Sequence, residues 1–81
     1  MLNLEVTTNL SQEEVAKLAT SFFGKKGLGL EIVDENPQLL YFEGGGGYVT
    51  ATLCAETNKT RVTLVTQEWE YQVKEFAAKL S

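Results

Sequence analysis

The chain has 81 residues, of which 43% are hydrophobic and 22% charged, with a formal net charge of −4. This describes one small domain, residues 1–81, of ordinary globular composition; an acidic chain is a poor counterion for a phosphate backbone, so nucleic acid is not an expected partner. There is no histidine and only one cysteine, Cys54, so the commonest general base and metal ligand are missing and no disulfide can close within the chain.

Leu2, Leu4 and Val6 alternate with Asn3, Glu5 and Thr7. A period of two with one apolar face predicts a first strand. Met1 runs straight into this pattern with no basic segment and apolar core of a signal peptide, and no apolar stretch approaches membrane-spanning length. The expected location is therefore the cytoplasm, with no membrane partner.

Ser11 followed by Glu14 is a capping box, in which each side chain reaches the other's backbone amide. Val15, Leu18, Ala19, Phe22 and Phe23 then recur at helical spacing and predict a first helix with one apolar stripe, stopped near Gly24. Lys25-Lys26, the one close basic pair, suits the negative end of that helix.

Leu28, Leu30 and Ile32 alternate with Gly29, Glu31 and Val33, which predicts strand two. Asp34-Glu35-Asn36-Pro37 has the chemistry of a turn. Strand three is expected over Leu39–Glu43 and strand four over Tyr48–Ala55, joined by Gly44–Gly47. With Gly45-Gly46 as the turn residues, Phe42 lies opposite Val49 and Leu40 opposite Ala51, and the apolar residues share a face; a slip of one residue would expose one set.

Thr57-Asn58-Lys59 holds the next turn. Strand five runs from Thr60 to Gln67, with Val62 and Leu64 facing in and Arg61, Thr63 and Val65 out. The second helix is expected from about Glu68 to Leu80, burying Trp69, Val73, Phe76, Ala77 and Leu80. Glu70–Lys74 and Glu75–Lys79 are spaced for ion pairs on its wet side.

The order β-α-β-β-β-β-α predicts an α+β fold of two layers. The crossover helix makes strands one and two parallel in direction, and the meander then lets strand five pair with strand one. The expected result is an antiparallel five-stranded sheet in the order 2-3-4-5-1, with both helices on one face. This order, with Gly44–Gly47 between two strands and an amphipathic helix at the C-terminal end, resembles the helix-grip and TATA-binding-protein-like architecture. START-type lipid-transfer domains and polyketide cyclases are larger versions of it. The resemblance implies a small apolar ligand in a pocket between the sheet and the C-terminal helix, where the small Ala51 and Ala55 leave room below large aromatics. The candidate lining is Phe22, Phe42, Ala51, Trp69 and Phe76.

Catalysis is not expected. A lone cysteine in a strand reads as a small packed hydrophobe, and no histidine is present to activate it. The carboxylates are scattered over caps, turns and outward strand positions rather than paired in one pocket. The glycine run leads into a strand and lacks phosphate-loop spacing. No cofactor motif is present. The uncovered sheet face holds the main candidate site, because alternation places Val33, Leu39, Tyr41, Tyr48 and Val65 there among threonines, and aromatics on such a face mark partner surfaces. The leading expectation is a non-catalytic interaction module that binds another protein or forms a homodimer through this face; the second is the small-ligand pocket.

Overall fold

A computed structural model describes residues 1–80. The elements are β1 (Leu2–Thr8), α1 (Gln12–Phe23), β2 (Glu31–Asn36), β3 (Leu39–Gly44), β4 (Gly47–Glu56), β5 (Lys59–Gln67) and α2 (Glu70–Leu80). The strands form one open sheet in the order β1-β5-β4-β3-β2, every neighbouring pair antiparallel. The α+β class, the element order and the strand order match the sequence-based expectation. α2 lies across β1 and β5, while α1 lies beside α2 and over β4, so both helices cover the same face.

The core follows from this arrangement. Val49, Ala51, Leu53, Val62 and Leu64 are buried on the helix side of the central strands. Val15, Ala19 and Phe23 from α1 and Val73, Phe76, Ala77 and Leu80 from α2 close over them. Phe23 is the hub, with ring centroids 5.0 Å from Phe22, 5.5 Å from Phe42 and 5.1 Å from Phe76. Three threonines are buried on or beside this side, and each uses its hydroxyl: Thr60 donates to the Leu10 carbonyl at 2.7 Å, Thr66 to the Tyr48 carbonyl at 2.6 Å, and Thr8 accepts from the Leu10 amide at 3.3 Å. A buried hydroxyl without such a partner would be costly.

The capping box forms as expected. Glu14 N donates to Ser11 Oγ at 3.2 Å and Ser11 N to Glu14 Oε1 at 3.1 Å. Gln12 Nε2 donates to the Leu53 carbonyl at 3.1 Å and fixes the start of α1 to β4.

The glycine hairpin also has the expected register, with Phe42 opposite Val49 and Leu40 opposite Ala51. Gly45 and Gly46 have φ of 59° and 80°, a region that other residues enter only with strain. The flanking glycines answer a different need, because a Cβ on Gly47 would lie 2.1 Å from the Gln67 carbonyl oxygen and one on Gly44 2.6 Å from Leu30 Cδ2.

Strand two departs from expectation. It spans Glu31–Asn36 rather than 28–33, and the turn is only Pro37-Gln38. Two causes are visible. Gly29 has φ of 83° and, with Leu28 and Leu30, its amide bonds back to the end of α1, so this segment belongs to the helix stop. Within β2 the register shifts between Ile32 and Asp34, leaving Val33 as an extra bulged residue. Asn36 Oδ1 accepts from the Gln38 amide at 2.9 Å and makes the short turn.

Smaller differences concern single residues. Leu18, placed on the buried stripe of α1, is 45% exposed. Ala55 is exposed near the end of β4 rather than beneath the helices. The wet-side pairs of α2 are replaced: Glu70 reaches the Met1 ammonium at 3.7 Å, and Lys79 lies 5.4 Å from the centre of the Phe22 ring.

Candidate functional site

The face away from the helices is built by strand alternation. One transverse row runs Tyr41, Thr50, Val65, Asn3; the next runs Leu39, Thr52, Thr63, Glu5. Tyr48 lies diagonal to Tyr41, and the two rings meet edge to face with centroids 6.2 Å apart and planes at 88°. Val33, the bulged residue, sits with Asp34 opposite Tyr41. The structure therefore brings Val33, Leu39, Tyr41, Tyr48 and Val65 into one band across four strands. Val33 is 50% exposed, and the other four are half-buried by their neighbours.

The border of the band is polar and mainly acidic. Among the described residues Glu5, Glu31, Asp34, Glu43 and Glu56 occupy face positions, against two cations, Lys59 and Arg61. Glu31 and Glu43 are directly opposite each other on neighbouring strands, an arrangement that destabilises a sheet unless a cation answers it. Arg61 is held at the far end, 3.5 Å from Glu56, with Nη2 donating to Cys54 Sγ at 3.7 Å. Cys54 is exposed on this face rather than packed in the core.

Tyr41 Oη donates to Glu43 Oε2 at 2.9 Å. That hydrogen bond, followed by slight desolvation and the charge of the carboxylate, raises the phenol above its ordinary value of 10.0. The sign is fixed by the donor: the bond is intact at neutral pH and is lost only as pH rises through the raised value. Glu43→Gln is therefore expected to bring Tyr41 back toward an ordinary phenol. A phenolate absorbance titration in a Tyr48→Phe/Tyr71→Phe background, where Tyr41 is the remaining tyrosine, checks it; an unchanged midpoint would show that the bond does not form in solution.

The residues expected to line a ligand pocket are not gathered around one opening. Phe42 and Ala51 have no exposed surface and Phe76 almost none. Phe22 and Phe76 do border a groove of about 380 Å³, but it lies between the two helices, with Leu18, Leu28 and Lys79. Trp69 has another task. Its Nε1 donates to the Gly44 carbonyl at 2.9 Å, and a Cβ on Gly45 would lie 2.7 Å from its Cζ2, so the indole rests on the glycine hairpin. Sequence reading missed this contact because it joins residues far apart in the chain; the paired presence of a glycine run and a lone tryptophan was the available signal.

A larger groove, about 930 Å³, lies where α1 stops short of β2. Lys17, Lys25 and Lys26 border it, with Leu30 and Ile32 also in the lining. Among the described residues no helix is long and apolar enough to cross a membrane. Nor do the described residues group three or more cysteine, aspartate or glutamate side chains in a way that could hold a metal. No family model matches the chain, and no curated protein matches it in sequence.

Proposed function

We propose that this protein is a non-catalytic interaction module that receives a protein partner on the bare face of its sheet. The observation that carries the reading is the band of Val33, Leu39, Tyr41, Tyr48 and Val65 inside an acidic border. An apolar, tyrosine-bearing centre within a charged rim is the anatomy of a protein interface. The border also selects the partner. Two copies placed face to face would set two mainly acidic borders against each other, and such like-charge contact disfavours association. A different chain with basic residues around an apolar centre answers both features, including the opposed Glu31 and Glu43.

The test is capture from native extract by the wild-type protein, by a Tyr41→Ser/Val65→Ser variant and by a Tyr71→Ser control on the exposed surface of α2. A partner held by wild type and control, released by salt and lost by the double variant is the expected result; salt release follows from the acidic rim. Loss of the core of such an interface weakens binding by about 2 kcal/mol or more, roughly thirtyfold. Equal capture by all three proteins would end the proposal.

A further inference from the structure

We infer that the free edge of β2 pairs with the same edge of a second copy, in one two-fold register that places Glu35 of each copy beside the lysine groove of the other. The inference concerns the outer edge of β2, which adjoins the sheet face at Glu31, Val33 and Asp34, and it does not rest on the function proposed above.

β2 ends the sheet, so among the described residues no strand neighbours its outer edge. All six of its residues are exposed, including Ile32 at 38% and Val33 at 50%. An edge of this kind is a template for another strand, and proteins guard it with charge and bulges. Glu31, Asp34 and Glu35 are the charges, and Val33 is the bulge. They guard it selectively. In an antiparallel pairing of β2 with itself that uses all six residues, Glu31 faces Asn36, Ile32 faces Glu35 and Val33 faces Asp34. No carboxylate meets another. A slip of one residue one way opposes Glu31 to Glu35, and the other way Asp34 to Asp34. A slip of two opposes Glu31 to Asp34 or Asp34 to Glu35. Each of these sets like charges directly across the ladder.

The bulge makes the permitted register possible. In a regular strand, residues an odd number of positions apart point to opposite sides, so Ile32 could not lie across from Glu35 with both chains facing the same way. Here the extra residue changes the count. Ile32 and Glu35 pair with Phe42 and Leu40 and lie on the helix side, while Glu31 and Asn36 pair with Glu43 and Leu39 and lie on the outer side. The two sheets can therefore join with their helices on the same side.

The charges then complement. Ile32 lines the groove bordered by Lys17, Lys25 and Lys26, three of the seven lysines and arginines in an acidic chain. Glu35 of the second copy, opposite Ile32, is brought to those ammonium groups. The contact is repeated by symmetry, as an isologous interface requires, and the exposed Ile32 and Val33 are covered.

Sedimentation velocity over a concentration series tests the pairing with two charge-reversed proteins, Glu35→Lys and the triple variant Lys17→Glu/Lys25→Glu/Lys26→Glu. The wild type is expected to form a dimer that weakens with salt. Each variant alone sets like charges together and should dimerise about tenfold more weakly or worse. An equimolar mixture restores both contacts. The ammonium group introduced by Glu35→Lys enters the acidic groove of the triple variant, while Glu35 of the triple variant meets the intact lysines of its partner. The mixture should dimerise at least as well as wild type. The Tyr41→Ser/Val65→Ser protein should dimerise normally, which separates this edge from the sheet face. A wild-type protein that stays monomeric throughout, a dimer indifferent to both reversals, or a mixture no stronger than its components would each overturn the inference.

Discussion

Phe23→Ala is expected to lower stability by about 3–5 kcal/mol, the usual cost of deleting a buried aromatic ring. Phe23 has no exposed surface, and its ring contacts three other phenylalanines, one on the sheet and two on the helices. The layers cannot collapse far enough to fill the space, because β3 and β4 are fixed to each other by their ladder while α1 is held by Ser11 and Gln12 at its start. A small domain has total stability of order 5–15 kcal/mol, so one ring is a large fraction of the whole. Urea unfolding should show a lower midpoint with an unchanged slope. Leu18→Ala, on the same helix but 45% exposed, should change stability by about 0.5 kcal/mol. Similar losses for the two variants would contradict the packing described.

Gly47→Ala is the second large effect. The added Cβ would meet the Gln67 carbonyl oxygen at 2.1 Å and Glu68 Cβ at 2.6 Å. A backbone oxygen cannot swing away as a side chain can, so β4 and β5 must part where their ladder ends. Forced local shifts of this type cost about 1–3 kcal/mol. Trp69 follows Glu68 directly and bonds to the Gly44 carbonyl, so its fluorescence should change in the folded state. Gly46→Ala provides the contrast. There φ is 80° and nothing lies within 4 Å of the added methyl, so the cost is backbone strain alone, about 1–2 kcal/mol, and the emission of Trp69 should stay as in the wild type. If both variants altered the emission equally, the hairpin would not be held by the indole as described.

The parts of the fold that sequence reading recovered were those where local chemistry and face pattern agreed. Around Gly45-Gly46, turn preference and the apolar sets of two strands require the same register, and the structure has it. At β2 the two signals conflicted. Leu28 and Leu30 mimic alternation, yet Leu30 is buried as the chain leaves α1, while Asp34, Glu35 and Asn36 resemble a turn but belong to a bulged edge strand. An edge strand exposed along its whole length has no apolar face to declare it. Thr60 and Thr66 were hidden for another reason: their hydroxyls are accommodated inside by carbonyls of Leu10 and Tyr48, which only the tertiary structure brings near. On the candidate face, alternation was enough to name the five residues of the band. The opposition of Glu31 to Glu43 needed the true register of β2 against β3, and the edge-to-face meeting of Tyr41 with Tyr48 needed ring positions that alternation does not supply.

The pairing of β1 with β5, Leu2 against Thr66 and Thr8 against Thr60, also dictates an order of assembly. β2 to β5 are linked by two-residue turns and can zip up locally, whereas β1 must close a loop spanning most of the chain, at greater entropic cost. During synthesis β1 leaves the ribosome well before β5, its partner, exists. Leu4 and Val6 have no strand to pair with until β5 has emerged.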